Sequence, residues 1–481
     1  MTLQKKSLTR FHEYLERNNM KKNKHQEEGI WWCIQRELQL ESFAVDDKEV
    51  FIDISKFQIA KGGIVADEMG LGKTILMLGL IVSNFVRNTL IVLPLPLLTQ
   101  WKKEIKRTLG HDALIYHGSN IKNTTKEQLR DAAIVLTTYG ALRPRNRENL
   151  YAIKWNRVIY DEAHHMRNSS SKKYFYGKLL KSDSKWLLTG TPVQNKASDL
   201  HSLFSILGYS HKETINYELF KELRKHHILR RLKKDVGINL PKVHYHNVNV
   251  KWKNELEKNV SEKIHNLVQS NYSSENIAWL ESIGEQKIIQ MVRAKQICVC
   301  PKLLEAKIKY MINQGKLSED YGILLTSKSK LDSVIETLKK RKNNKNKKIV
   351  FCSFHEEMNI LKEMMYKNNM KSVGIYSGRL NIRARQKVID KNYDILLMQI
   401  QAGSEGLNLQ QYNEIYFVSP HWNPCVEDQA IGRSYRMGQK KETYIFHFSM
   451  NEINSKNKVN SMDNYVKNVQ KDKRLLQEEL L

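Results

Sequence analysis

The sequence predicts an α/β protein with two parallel-sheet domains and a helical insert and linker between them. Three observations carry this. Short apolar runs alternate with helix-patterned segments over 25–205, and again over 321–450. Each run ends at a polar or glycine-bearing loop, as parallel strands joined by crossover helices do. Over 206–320 the pattern is charged, glycine-poor and helical, without strand alternation. The 481 residues exceed one ordinary domain, and an apolar content of 41% is enough for proper cores.

In order, 1–24 is polar and basic and reads as a frayed helix. Strands of the first domain are expected at 63–66, 89–93, 133–137, 157–160 and 185–188. Those of the second are expected at 348–352, 371–375, 395–399, 414–418 and 443–448. The stretch 451–481 is a polar tail that closes in a helix over 471–481. In such sheets ligands bind beyond the carboxyl ends of the strands, so the strand-end loops are where chemistry is sought.

Net charge is +28 and the isoelectric point about 9.6. That excess suits a polyanionic partner, most simply nucleic acid, and equally a lysine-rich enzyme from an AT-rich genome. The five cysteines (Cys33, Cys298, Cys300, Cys352, Cys425) are scattered and odd in number. They give no disulfide framework, which fits a reducing intracellular compartment. Cys298-Val299-Cys300 lacks the spacing and second pair of a zinc knuckle and reads as buried helix. The N-terminus has no signal-peptide core, and the apolar runs 75–82 and 90–98 are too short or interrupted to span a bilayer, so no membrane partner is expected.

The first strand runs into Asp67-Glu68-Met69-Gly70-Leu71-Gly72-Lys73-Thr74 and then an apolar helical segment. Glycines let backbone N–H groups face phosphate oxygens, and the helix N-terminus favours the anion. Lys73 is placed to reach the β- and γ-phosphates and Thr74 to hold Mg2+. Asp67 stands where the common pattern has glycine. At the end of another strand, Asp161-Glu162-Ala163-His164 supplies two carboxylates: Asp161 for Mg2+, Glu162 to polarise the attacking water. His164 sits where it senses the γ-phosphate. An acidic helix N-cap is the blander account of the same residues. Thr189-Gly190-Thr191-Pro192 puts hydroxyls at a further strand tip, suited to coupling or simply to a turn. In the second domain, Gln429-Ala430-Ile431-Gly432-Arg433-Ser434-Tyr435-Arg436-Met437-Gly438-Gln439 places Arg433 and Arg436 three apart, on one face if helical.

Taken together these motifs resemble the superfamily II helicase-like ATPases of the SWI/SNF (Snf-like) type, over about residues 20–450. The resemblance implies two RecA-like lobes, ATP as the nucleotide and Mg2+ as its ion. Lys24-His25-Gln26 resembles the adenine-reading segment, with Gln26 as the base contact. Asp67–Thr74 is similar to the family's own phosphate loop, in which Asp67 is a signature. Ile91-Val92-Leu93-Pro94 with Gln100-Trp101, Thr137-Thr138-Tyr139, and Leu188–Pro192 with Gln194-Asn195 follow in family order. Leu229-Arg230-Arg231-Leu232-Lys233-Lys234-Asp235-Val236 is similar to a segment between the lobes, and Ser329-Lys330-Leu331 to the opening of a lobe-two helix. Tyr376-Ser377-Gly378, Ala402-Gly403-Ser404-Glu405-Gly406-Leu407-Asn408-Leu409, Trp422-Asn423-Pro424 and the 429–439 run complete the set. Arg433 and Arg436, with Gln429, are then expected at the nucleotide. His164, Thr189, Gly190 and Thr191 are expected to couple nucleotide to DNA.

The resemblance further implies double-stranded DNA as partner, gripped through its backbone at Pro94, Thr137, Thr138, Arg379, Gly403, Asn408 and Trp422. For Trp422 a place in the core is an equal reading. The lysine-asparagine run 339–348 is a DNA-facing patch, a nuclear signal or a solvated loop. Ser404, Gln401 and Ser434-Tyr435 depart from the family pattern, which bears on coupling and not on the ATP site. No accessory histone-reading module is evident. The compact form resembles those of bacteria, phages and large DNA viruses, which implies an intracellular setting, nucleus or viral factory. An RNA helicase, suggested by the Asp-Glu-Ala-His spelling, and an inactive DNA-binding scaffold are the competing functions.

Overall fold

The computed structural model describes residues 2–40, 60–143, 148–237, 240–268, 286–403, 407–453 and 460–481. They form two compact units, Met1–Asn239 with Leu475–Leu481, and Leu240–Arg474. The first holds seven strands: β1 (Gly62–Val65), β2 (Thr89–Leu93), β3 (Leu114–Tyr116), β4 (Ile134–Thr138), β5 (Trp155–Asp161), β6 (Ser182–Leu188) and β7 (Ile228–Leu229). Their order is β3-β4-β2-β5-β6-β1-β7, and every pairing is parallel. The second unit holds β8 (Val243–Val250), β9 (Lys347–Cys352), β10 (Val373–Tyr376), β11 (Ile395–Gln399), β12 (Tyr412–Phe417) and β13 (Thr443–Met450). These run β10-β11-β9-β12-β13-β8, again all parallel. Central strands such as β2 are buried along their whole length, because helices cover both faces of each sheet. The two-domain α/β class expected from the sequence is the observed one. Among the described residues no helix is long and apolar enough to cross a membrane.

The stretch 206–320, expected to be helical throughout, contributes β7 and β8 and is shared between the two units. β8 escapes a hydropathy reading because its sequence, Val-His-Tyr-His-Asn-Val-Asn-Val, is half exposed and aliphatic only in part. Its imidazoles replace aliphatic packing: His244 stacks on Tyr444 at 4.7 Å and His246 on Phe446 at 4.6 Å.

The first helix, α1 (Leu3–Arg17), is also firmer than a frayed segment. It is capped by Thr2 and buries Phe11, Tyr14 and Leu15 against the core beside α3 (Lys73–Ser83). Between them in sequence, α2 (Lys24–Leu38) is anchored by a buried ion pair, in which Arg157 donates two bonds of 2.5 Å to Glu37. Trp186 Nε1 donates to the same carboxylate at 2.8 Å. Removing one partner would strand a buried charge at a cost of about 3–5 kcal/mol. This network fixes α2 to β5 and β6, and so places His25 against the phosphate loop.

In the second unit the basic run 339–348 is not uniformly solvated. Glu414, fully buried, accepts from Arg341 at 2.7 Å and from Asn346 at 3.0 Å, and lies 3.6 Å from the Lys348 ammonium. The C-terminal helix begins at Met462, earlier than its sequence pattern suggests. Its Asp463 is held 2.5 Å from the buried Lys330 ammonium.

Candidate nucleotide site and the strand-end loops

β1 ends at Val65, and the loop that follows is laced to the segment after β7. Ala66 N donates to Leu229 O at 2.7 Å and Glu68 N to Arg231 O at 2.9 Å. Gly70 and Gly72 take φ of +92° and +86°, in the left-handed region where a side chain is strained. Gly72 is the N-cap of α3, so the first helical N–H groups open toward the loop. Lys73 Nζ donates to the Asp67 carbonyl at 2.7 Å.

Asp67 and Glu68, expected among the nucleotide contacts, have side chains turned to other work. The Asp67 carboxylate is 1% exposed and gripped by Arg231, Nε to Oδ1 at 3.0 Å and Nη2 to Oδ2 at 2.5 Å. Arg231 also donates to the His25 carbonyl. Glu68 accepts from the Lys233 backbone at 2.7 Å and pairs with its ammonium at 2.9 Å. A buried carboxylate already engaged by a guanidinium has no reason to face phosphate. The side chains of these two residues brace the loop. The His25 ring lies 3.3 Å from the Leu71 carbonyl, bracing the loop from α2. Gln26 is 4% exposed, with Asn23 Nδ2 at 3.5 Å from its Oε1.

Asp161 closes β5. Its Oδ2 accepts from Trp101 Nε1 at 2.7 Å, its Oδ1 from the Glu162 N–H at 2.9 Å, and its carbonyl from the Tyr139 hydroxyl at 2.9 Å. Burial, and then the Glu162 charge, push its carboxyl up to about 6, while Lys73 pulls the other way. Two adjacent carboxylates at a strand end fit a divalent cation shared with phosphates. Glu162 itself holds φ of +51°, a conformation that costs a non-glycine residue.

The expected coupling residues form one chain of contacts. His164 Nδ1 is 3.3 Å from Glu162 Oε2 and 3.4 Å from Thr189 Oγ1. Thr189 Oγ1 accepts from Thr191 N at 3.1 Å, and Gln194 Nε2 donates to Thr191 Oγ1 at 3.0 Å. Gly190 lies directly over the phosphate loop. A Cβ there would stand 3.1 Å from the Met69 side chain, a contact tight enough to make that side chain shift. Sequence reasoning did not single out Trp101, Tyr139 or Arg231 as supports of the site. The Gln100-Trp101 pair, the Thr137-Thr138-Tyr139 run and the Leu229–Val236 segment drew attention to them without giving these roles.

In the second unit Arg433 sits in the last turn of the helix Pro424–Ser434, and Arg436 lies beyond its end. The expectation that both share a helix face is therefore corrected: at Tyr435 the backbone leaves the helix at ψ 84°. They remain electrostatic neighbours, since burial and then the Arg433 charge lower the Arg436 pKa. The turn is clasped by the 407–410 segment: Leu409 N donates to Arg433 O at 3.0 Å, and Gln439 Nε2 to Gln410 O at 2.9 Å. Gln429 is 5% exposed and its Nε2 has no hydrogen-bond partner among the described residues.

The expected DNA-facing residues divide. Pro94 is half-buried at the end of β2, while Arg379 and Asn408 are exposed. Arg385 donates to the Gly378 and Leu380 carbonyls at 2.9 Å and so holds the turn that carries Arg379. Thr137 and Thr138 are 0% and 2% exposed. Their hydroxyls are engaged by the Tyr116 carbonyl at 2.9 Å and His117 Nδ1 at 3.0 Å, so neither hydroxyl faces a backbone phosphate here. Gly403 is buried, and a Cβ on it would meet Met398 and Phe351 at 2.6 Å. Trp422 is partly buried, packs on the core and meets the Tyr465 ring edge-on at 6.1 Å. Ser404, Glu405 and Gly406 lie outside the described residues.

A phosphate loop closing one parallel strand and an Asp-Glu pair closing another define a nucleotide-hydrolysing α/β ATPase. The SNF2-related domain matches residues 25–303, and the Helicase conserved C-terminal domain matches 329–438. The chain belongs to the SNF2-related family and is an ATP-hydrolysing, helicase-like enzyme. It is similar to the "Probable global transactivator" of Orgyia pseudotsugata multicapsid polyhedrosis virus, with 28% identity covering 90% of this chain and 86% of that one. It is 26% identical to the human "DNA excision repair protein ERCC-6-like" over 80% of this chain, spanning 37% of that protein's length. A solved Sulfolobus solfataricus SWI2/SNF2 ATPase core in complex with dsDNA aligns over 95% of this chain and 96% of its own, at 22% identity and a TM-score of 0.40.

Proposed function

We propose that this chain is a DNA-dependent motor that moves along double-stranded DNA without separating the strands, and thereby displaces or rearranges bound protein. The observation that carries the reading is the contact chain from the Asp161-Glu162 carboxylates through His164 to Thr189, with Gly190 seated on the phosphate loop at Met69. It links the hydrolytic residues to a strand-end loop, as a motor requires and a passive scaffold does not. Relatives named for transactivation and for excision repair support work on DNA-bound protein.

In the cycle we infer, ATP enters against the α3 N-terminus, with Gln26 reading the base, and Lys73 leaves the Asp67 carbonyl for the β- and γ-phosphates. Mg2+ held by the Thr74 hydroxyl and Asp161 would neutralise phosphate charge. Glu162 orients the attacking water. Arg433 and Arg436 stabilise the charge of the transferring phosphoryl group, and Gln429 supports them. Duplex is gripped at its phosphates by the exposed Arg379 and Asn408, with Pro94 and Trp422 packing beside it.

The test is the ATPase rate with duplex DNA, single-stranded DNA and RNA in parallel. Duplex should stimulate most. Stronger stimulation by RNA would overturn the reading in favour of an RNA helicase, and Lys73→Ala without effect on any activity would favour the scaffold.

A further inference from the structure

The amino ends of β9 and β11 and the loop before β10 frame a cavity of about 400 Å³ in the second unit. It lies at the strand ends opposite those that carry Arg379 and Gly403. Along the five residues of β11 the separation is about 15 Å. Its floor is aliphatic: Leu338, Met370 and Ile395 are 0%, 5% and 6% exposed. Its wall carries five lysines against the single acid Asp394. Three of the five are tied down. Lys342 Nζ donates to Asn369 O at 3.1 Å, Lys348 Nζ to Asn346 O at 2.7 Å, and Lys347 Nζ lies 3.9 Å from Asp394. Lys345 and Lys371 are exposed and make no ion pair among the described residues. An apolar floor bordered by the two unpaired ammonium groups of Lys345 and Lys371 is the complement of an amphiphilic anion.

From this geometry we infer that the cavity is a docking site for an acidic peptide of a partner protein, one large aliphatic side chain seated on Leu338, Met370 and Ile395 and flanking carboxylates meeting Lys345 and Lys371. The lining argues against nucleic acid. It holds no aromatic ring on which a base would stack and no arginine whose fork would take a phosphate bidentately. Lysines are point charges that accept carboxylates without that geometry. Because the strand-end loops of the motor lie at the opposite edge, an occupied cavity leaves them open. The site is suited to recruiting a protein while the motor runs, and the inference holds whether or not the duplex reading does.

The experiment is fluorescence anisotropy with the full chain at 0.1 M salt. The probe is a labelled peptide with a central leucine flanked on each side by aspartate and glutamate. The chain should bind it, and Lys345→Glu with Lys371→Glu should weaken binding about tenfold or more. Replacing the probe's leucine by serine should weaken it comparably, with no change to the protein at all. The lysine variant should keep its melting temperature and its ATPase rate with and without duplex DNA. No binding, binding indifferent to the lysines, or equal binding of the serine probe would overturn the proposal. So would a single-stranded oligonucleotide that binds through the same two lysines more tightly than the peptide.

Discussion

At the scale of the residue, the nucleotide site depends on side chains that never need touch the nucleotide. Trp101 donates to Asp161 at 2.7 Å across 60 residues of sequence. A hydrogen bond to a charged group is worth about 1.5–3 kcal/mol. Trp101→Phe keeps the packing and removes that bond. It should raise the Mg2+ concentration needed for half-maximal ATPase and lower the rate about tenfold, with the fold intact. A Mg2+ titration unchanged from the parent would show that the indole merely fills space. Arg231 and Asp67 make a parallel case. Arg231→Ala should weaken ATP binding and cost about 3–5 kcal/mol of stability, since it strands a buried carboxylate. Adding Asp67→Asn should recover part of that loss, because the stranded charge goes with it. Strictly additive losses would mean the two residues act apart. The sequence made Asp67 conspicuous, yet its role was illegible, because the partner lies 164 positions away and only the fold unites them.

Elements were legible where burial writes itself in aliphatic side chains, and illegible where it does not. Strands such as β2 and β11 stand out as apolar runs. The short β3 and β7 offer too few residues for any pattern, and β8 packs through imidazoles. The join between the helix Tyr217–His227 and β7 depends on one such imidazole. His227 Nδ1 lies 3.0 Å from Gly62 O and its Nε2 2.6 Å from the Tyr209 hydroxyl. Burial, then the neighbouring His226, hold its pKa down to about 3. The folded state therefore binds this proton less tightly than the unfolded chain, whose histidines titrate near about 6.5. Its contribution is complete above that pH and is lost as pH falls toward 3, at up to about 1.4 kcal/mol per unit. Glu357, whose carboxylate accepts from Ser353 N and Phe354 N at 2.8 and 2.9 Å, runs the other way. Burial raises its pKa to about 7, so its proton stabilises the fold at low pH and that gain is lost as pH rises from about 4.5 to 7. Glu357→Gln should raise the melting temperature at pH 8 and leave it nearly unchanged at pH 5. A rise of equal size at both would contradict the assignment.

For the whole molecule, the sequence announced two parallel-sheet domains and their motifs in order. What it could not show is how each motif is held: Thr137 and Thr138 look like exposed strand-end hydroxyls, and the fold spends both internally. The arginines of the second unit were likewise legible as residues and not as geometry, since the helix that should have aligned them ends at Ser434. Their neighbouring charges, mutually unfavourable and partly buried, persist at a cost that an arriving anion would relieve. If both stabilise one phosphoryl group, they act as a unit, and their losses will not add. Arg433→Ala and Arg436→Ala should each reduce duplex-stimulated turnover by about 10³-fold or more while leaving ATP binding within a few-fold, and the double variant should be little worse than either. Single-turnover hydrolysis alongside equilibrium binding of a non-hydrolysable ATP analogue separates these quantities. Independent, additive losses, or a loss confined to binding, would assign the pair to holding the 407–410 and 434–439 segments together and leave the transition-state charge to other groups.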